Sequence, residues 1–328
     1  LRTLVTGASG FLGGAILRQL AGGDDCGQVR VLVRPGRTVS GDSVEIAEGD
    51  LSDPRTFGAA LEGVDVVIHA GARVSTSGSW EDFAAANVRG TQELIAASEK
   101  AGVDHFVHVS SLSVYDIAAD GASLDEDSPL ESGSQDRGFY SRSKLEADLV
   151  AQKAMKRSAP VTIVRPGLLF GPGRPVPLAR RSVAAGPFRL ILASPGYLMP
   201  MAFVDNVADA IVLASRCPQA IGRAYTLIDD HVRQDDYARV FRDASGQSWR
   251  PIYIPPVLIR TAVSVVEGAA RAVGRTPPMT RHQVDRTLRS ARFDGSRARR
   301  ELDWQPKVPV SEALQRSFEA NRSGTGAA

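Results

Sequence analysis

The amino-acid sequence predicts an α/β protein built on a doubly wound parallel sheet, with a smaller C-terminal region following it. Three observations carry that reading. Thr3 to Leu20, TLVTGASGFLGGAILRQL, passes from strand chemistry to helix chemistry across a glycine-rich turn. From there to Gly167 strand-like and helix-like segments alternate about six times, a pattern that requires a parallel sheet with right-handed crossovers and helices on both faces. From Leu168 onward, prolines at 172, 175, 177, 187, 195 and 200 break the alternation into short pieces.

With 328 residues the chain can bury a sizeable core as one large domain or two closely joined ones. The 39 basic and 37 acidic side chains nearly balance, which argues against a nucleic-acid-binding surface or an acidic tail. The arginine-rich stretch near 281–300 reads as a solvated face. Cys26 and Cys217 provide no repeated spacing for a metal or disulfide framework; this suits a reducing compartment and a cytoplasmic protein. No secretory signal opens the chain, and the lack of an initiating Met fits a trimmed leader or neighbouring domain. Val257 to Val273 is the most apolar late segment, but Arg260, Glu267 and Arg271 interrupt it, so it is too short and too charged to span a bilayer. An amphipathic helix against the core is expected there, with membrane-surface attachment as the alternative.

Thr3, Leu4 and Val5 form the first strand, and Ile16, Leu17 and Leu20 recur at helical spacing. Between them Gly7 permits a sharp reversal, Gly10 lets backbone N–H groups approach a pyrophosphate, and Gly13 allows close packing of the helix. The helix start then offers unpaired donors and a positive dipole end, so Thr6, Gly7, Ser9, Gly10, Phe11, Leu12 and Gly13 are the expected dinucleotide contacts. A tight turn without a ligand is the plainer alternative.

Val29 to Val33 reads as the second strand, and it ends on Arg34, with Arg37 close behind. In dinucleotide folds an acid there reads the adenosine ribose, whereas arginine accommodates a 2′-phosphate, so NADP(H) is favoured over NAD(H). Exposed loop charges would be the plainer reading. A third strand, Ser43 to Ala47, leads to Asp50 and Leu51. The fourth, Val64 to His69, precedes the small residues Ala70, Gly71 and Ala72, which let the chain pass close to a cofactor. Asn87 opens a helix whose Leu94 and Ile95 face inward. The fifth strand, His105 to Val109, ends in the hydroxyl cluster Ser110, Ser111 and Ser113 at the carboxyl edge, where ligands bind in this architecture. Tyr140 and Lys144 lie four apart on a later helix and share a face. A sixth strand, Val161 to Arg165, continues into Pro166, Gly167 and Leu168. Asp205 reads as the N-cap of a helix from Val207 to Leu213.

TGxxGxxG at 6–13, NVRGT at 87–91, strand-end Ser111 and Tyr140-x-x-x-Lys144 together resemble the extended branch of the short-chain dehydrogenase/reductase superfamily. The pattern is similar to its NAD-dependent epimerase/dehydratase-like members and, within them, to the 3β-hydroxysteroid dehydrogenase and dihydroflavonol reductase group. VDNVA at 204–208 and the closing segment 298–319 resemble the family as well, so the likeness spans nearly the whole chain and thins after residue 170.

The resemblance implies a Rossmann-type NAD(P)-binding domain at 1–167, a substrate-binding region at 168–322 interleaved with the last strands, and a flexible tail at 323–328. It also implies that Ser111, Tyr140 and Lys144 are catalytic. Asp50 and Leu51 would read the adenine, and His69, Ala70, Gly71, Ala72, Asn87, Val109, Ser110, Tyr140, Lys144, Pro166, Gly167 and Leu168 would line the cofactor. The helices near 81–100 and 140–156 resemble those of the family's dimer bundle, which implies a homodimer.

Three functions follow: a ketoreductase or alcohol dehydrogenase, a nucleotide-sugar epimerase or dehydratase, and a non-catalytic NAD(P)-sensing protein. The third would not need Ser111, Tyr140 and Lys144 together. Against the second, Leu112 and Ser113 replace the acidic pair common in sugar-nucleotide dehydratases, and LMPM at 198–201 replaces an arginine that would meet a diphosphate. A hydrophobic small-molecule substrate such as a bulky ketone is therefore expected, facing an apolar wall of Phe170, Leu192, Met199, Met201 and Phe203, with Arg73 and Ser113 as further contacts. Packing of the methionines into the core is the alternative.

Overall fold

The computed structural model describes residues 1–22, 27–39, 44–75, 77–132, 138–174, 182–272, 274, 284–285 and 288–322. Cys26, Ser43, Pro175, Pro177, Val273, parts of the 281–300 stretch and the 323–328 tail lie outside the described residues. In chain order the elements are β1 (Arg2–Thr6), α1 (Phe11–Ala21), β2 (Gln28–Val33), β3 (Val44–Glu48), α2 (Phe57–Leu61), β4 (Val66–His69), α3 (Trp80–Phe83), α4 (Gly90–Ala101) and β5 (His105–Val109). Then come β6 (Ala122–Leu124), α5 (Phe139–Lys156), β7 (Val161–Pro166), β8 (Leu168–Phe170), β9 (Ser182–Ala185), β10 (Phe188–Ile191), β11 (Leu198–Phe203) and α6 (Val204–Arg216). The chain closes with β12 (Ala224–Leu227), β13 (Asp230–Arg233), α7 (Gln234–Ser245), β14 (Arg250–Tyr253), α8 (Pro256–Ala272), β15 (Ala291–Phe293), α9 (Ser296–Glu301) and α10 (Val310–Arg322).

Seven strands form one parallel sheet in the order β12-β7-β5-β4-β1-β2-β3. Each face carries its own core, because parallel strands joined by crossover helices are covered on both sides. On one face Ile16, Leu17 and Leu20 of α1 pack with Val207 and Ile211 of α6. On the other, Phe57, Leu94, Ile95, Phe106 and Ala151 pack together. The parallel sheet is completed by β12, which returns from the C-terminal half of the chain.

Several boundaries move from their expected places. The fourth strand starts at Val66 rather than Val64, and the third ends at Glu48. Pro166 stays paired with Leu227 as the last residue of β7. A Cβ on Gly167 would sit 2.5 Å from the Pro200 carbonyl oxygen, so glycine is needed where the chain leaves the main sheet for the small sheet β13-β11-β8. The helix expected from Val207 begins at Val204, which places Asp205 inside the first turn and not at the N-cap. There it faces the positive helix end and pairs with Arg18 at 2.8 Å.

The helix at 256–272 forms, yet it does not bury an apolar face. None of its residues is buried, and Val257, Leu258 and Val265 are 62%, 58% and 66% exposed. Its apolar residues run around more of the helix than its single half-buried stripe can cover. Among the described residues no helix is long and apolar enough to cross a membrane. The described arginines of the 281–300 stretch are tied down more than a solvated face would be: Arg289 donates to the Ile117 carbonyl at 2.8 Å, and Arg297 pairs with Asp127 at 2.5 Å.

Two neighbouring glycines of α1 give opposite expectations. A Cβ on Gly13 would fall 2.0 Å from the Gly7 carbonyl oxygen, whereas one on Gly14 meets nothing nearer than 3.9 Å. Gly13→Ala is expected to destabilise the protein by about 1–3 kcal/mol through overpacking. Gly14→Ala is expected to be neutral or to stabilise by up to about 1 kcal/mol through helix propensity. Thermal unfolding of the two variants checks both.

Candidate active site

Strand order reverses across β1 and β4, so the loops leaving their carboxyl ends diverge and open a crevice. At its base the two loops touch. Gly7 has φ +74°, and a Cβ there would lie 2.6 Å from Gly71 Cα. Thr6 Oγ1 accepts from Gly71 N at 3.1 Å and meets His69 Nδ1 at 2.7 Å, while His69 Nε2 meets Thr91 Oγ1 at 2.9 Å. Burial, reinforced by the charge of Lys144, pushes the His69 imidazole down to about 3, so it is neutral. The side chains of Thr6 and His69 are thus committed to holding the two loops together, and only their backbone is left to face a cofactor. Above them no side chain caps α1 at Gly10, Ser9 and Gly10 are exposed, and Phe11 and Leu12 are half-buried. This is the open helix start that binds anions. Gly13 packs on the carbonyl of Gly7 itself and thereby shapes the loop.

Arg34 and Arg37 are exposed on the turn after β2. Asp50 follows β3, where partial burial works against ionisation but hydrogen bonds from Ser52 and the charge of Arg34 hold its carboxyl below the usual range. Leu51 packs against the close approach of Gly90, whose Cβ would be 2.4 Å from its carbonyl oxygen. Ala70, Ala72 and Gly167 are half-buried and Leu168 is exposed along the same edge.

Tyr140 lies half-buried in the first turn of α5, and Lys144 lies one turn further in, buried. Lys144 Nζ donates to the Val109 carbonyl at 2.6 Å, which anchors α5 to the end of β5. Burial lowers Lys144 to about 8, against the opposing charge of Asp148. Ser143 Oγ donates to the Tyr140 carbonyl at 2.8 Å and accepts from Asn87 Nδ2 at 2.9 Å. Asn87 also binds both backbone groups of Arg73, at 2.6 Å and 3.2 Å. It sits in a π-helical stretch, Ala84–Arg89, between α3 and α4, the kind of insertion that re-aims a side chain at functional sites. Asn87 is therefore a clamp between the loop after β4 and the Tyr140 turn.

The serines at the end of β5 divide. Ser110 is buried and its hydroxyl donates to Asp148 at 2.5 Å. Ser111 stays half-buried at the edge, where its Oγ accepts from Ser113 N at 3.2 Å, and Ser113 is half-buried beside it.

The expected apolar wall does not stand as a surface. Phe170, Met199, Met201 and Phe203 are at most 3% exposed and pack with Tyr237, Trp249 and Phe318. Alternation along β11 does place Met199, Met201 and Phe203 on one face, but α7 and α10 cover that face. Leu192 alone of the apolar group is half-buried. Arg73 lies 5.6 Å from the Phe83 ring centroid and 3.9 Å from Asp82. Three side chains were not anticipated from the sequence. Ser143 carries only the signal of sharing a helix face with Tyr140, Asp148 that of sharing one with Lys144, and Arg165 that of a charge inside an apolar strand.

The chain matches the profile described as the NAD dependent epimerase/dehydratase family over residues 3–227. It belongs to that family. Within the extended short-chain dehydrogenase/reductase superfamily it is an NAD(P)-binding oxidoreductase. It is 31% identical to sterol demethylase protein B of Methylococcus capsulatus, over 93% of this chain and 94% of that one. Identity is 29% to a 2-alkyl-3-oxoalkanoate reductase of Stenotrophomonas maltophilia, over 96% and 98% of the two chains. Among solved structures, that of gox2253 superposes with a TM-score of 0.85 at 28% identity, covering 99% of both chains.

In this family member a buried lysine makes stability depend on pH. Lys144 holds its proton up to about 8 in the folded chain against 10.5 in the unfolded one, so between these values the unfolded state binds more protons. The penalty of Lys144 is full below the lower value and lifts as pH rises to the upper. Lys144→Met is expected to remove this slope, so that wild type gains on the variant between these two values. Unfolding free energies measured across that range check it.

Proposed function

We propose that the protein is an NADP(H)-dependent ketoreductase or alcohol dehydrogenase that acts on a hydrophobic carbonyl compound or secondary alcohol through Ser111, Tyr140 and Lys144. The observation that carries the reading is Lys144, buried one turn below Tyr140 and fastened to the strand that presents Ser111. A free tyrosine ionises near pH ~10, and a fixed positive charge beside it brings the phenolate within reach of neutrality. Tyr140 donates its proton to the substrate oxygen in reduction and recovers it in oxidation. Ser111 donates a hydrogen bond to the same oxygen. When bound, the nicotinamide supplies or accepts the hydride. The loop at Gly7–Gly13 and the open start of α1 would hold its pyrophosphate, and Asp50 the adenine. Arg34 and Arg37 would take the 2′-phosphate, since no acid stands at the end of β2 to claim a ribose hydroxyl.

Two features support a hydrophobic substrate over a nucleotide sugar. The named relatives carry sterol and alkyl-oxoalkanoate in their descriptions. Leu112, where a dehydratase would carry an acid, is buried in the core beside Tyr115. Leu192, Leu168, Arg73 and Ser113 are the surface left to meet such a substrate once the β11 side chains are taken into the core. A homodimer through α4 and α5 is also part of the reading, supported by Leu149 of α5, which is 47% exposed.

Tyr140→Phe is expected to lower turnover by at least about a hundredfold while leaving NADPH affinity within about threefold, because it removes the proton and keeps the ring. Turnover and fluorescence titration on the same sample check this; turnover within tenfold of wild type would make Tyr140 a packing residue. Wild type is expected to prefer NADPH to NADH in kcat/KM, and Arg34→Ala to cut that preference about tenfold or more by losing a charge-assisted contact. Equal use of NADH would remove the arginines from the site.

A further inference from the structure

We infer that Asp148 is the positioning residue for Lys144, held in place by Arg165, and that its charge keeps Lys144 protonated beside Tyr140. This rests on Tyr140 and Lys144 being the proton pair proposed above. Asp148 lies one helical turn beyond Lys144, and its side chain is wholly buried. Its carboxylate accepts from Arg165 Nε and Nη2 at 2.9 Å each, from Ser110 Oγ at 2.5 Å and from Gln152 Nε2 at 2.8 Å. Arg165 is equally buried, and its Nη1 donates to the Tyr115 hydroxyl at 2.8 Å and the Glu126 carbonyl at 3.3 Å. Withdrawing two charges from water costs more than their attraction returns unless such partners are present, and apolar side chains of similar volume often stabilise a core as well. A pair retained under these conditions points to an electrostatic task.

The task next to it is Lys144. Lys144 Nζ is bound to the carbonyl of Val109, and the next residue, Ser110, gives its hydroxyl to Asp148. One dipeptide therefore receives both the lysine and its counter-charge, and the residue after it is Ser111. The titratable and charged groups around Lys144 are Tyr140 and Asp148 on α5, His108 on β5, His69 on β4 and Arg165 on β7. Burial pushes His69 and His108 far down, helped in both by the charge of Lys144, so neither imidazole carries charge. Among these described groups the charges at neutral pH are then two cations and one anion. Asp148 offsets one cation and leaves one positive charge to act on Tyr140. Without it Lys144 and Arg165 would share a dry interior uncompensated, and the Lys144–Tyr140 pair would release its first proton at lower pH.

The test reads the alkaline limb of kcat/KM for carbonyl reduction. The competent form there carries protons on both Lys144 and Tyr140, so the first proton lost by either ends turnover. Asp148→Asn is expected to move this limb down by about one pH unit, a tenfold loss of proton affinity, and so to lower kcat about twofold at neutral pH and about tenfold on the alkaline side of the limb, with KM within about threefold. A lone buried cation endangers folding, so Asp148→Asn/Arg165→Met is made alongside to remove both charges. It is expected to unfold cooperatively and to keep the limb lowered, though by less than Asp148→Asn alone, because Arg165 no longer adds its charge to that of Lys144. In the cofactor-free protein, the pH at which the destabilisation by Lys144 begins to lift is expected to fall with it, a readout independent of activity. A folded double variant in which neither the limb nor that onset moves would reduce Asp148 and Arg165 to packing. If Tyr140→Phe is inactive while the limb stays put, this inference alone fails. If Tyr140→Phe remains active, the reading of the proton pair fails first.

Discussion

The close approach of Gly7 to Gly71 sets the geometry on which the rest of the site depends. The loop leaving β1 turns at a positive φ and passes so near the loop leaving β4 that a single methyl group would collide with backbone. Thr6, His69 and Thr91 lock that contact from below by hydrogen bonds in the dry interior. With the two loops pinned, the crevice above has a fixed floor. The uncapped start of α1 opens onto one side of it and the carboxyl end of β5 onto the other. A preorganised cleft of this kind spends no binding energy on ordering its own backbone.

Buried polarity is concentrated on the same edge of the sheet. His69, Lys144, Asp148 and Arg165 are all nearly inaccessible, and each is placed by a strand or helix rather than by a loop. Side chains on regular elements hold their geometry more tightly than side chains on loops, which suits proton transfer over hydrogen-bond distances. The π-helical turn at Ala84–Arg89 has a related role. It brings Asn87 to bridge the loop after β4 and the turn that carries Tyr140, so the two are fastened to each other.

What could be read from the sequence was whatever local chain geometry decides. Gly7, Gly10 and Gly13 announce a strand–turn–helix because few other residues can make it, and Tyr140 and Lys144 share a helix face by spacing alone. Alternation along 199–203 showed that Met199, Met201 and Phe203 point the same way, but not that α7 and α10 would cover them; that information is tertiary. The pairing of Asp148 with Arg165 is hidden for the same reason, since α5 and β7 meet only in the folded chain. Asp205 misled because a good N-capping residue also suits the first turn, where the helix dipole favours it equally. The apolar run at 257–273 announced the helix found at 256–272, whereas its burial depended on neighbours that do not cover it.

The central claim is that Tyr140, Lys144 and Ser111 serve hydride transfer to a carbonyl carbon of an apolar compound. It is tested most directly with NADPH deuterated at the nicotinamide C4 and a bulky hydrophobic ketone, by following the label into product with mass spectrometry. The account predicts an alcohol carrying one deuterium on the carbinol carbon and an equal amount of oxidised cofactor. An alcohol without deuterium at that carbon would contradict it. So would interconversion of a nucleotide sugar with no net consumption of cofactor while every ketone is left untouched.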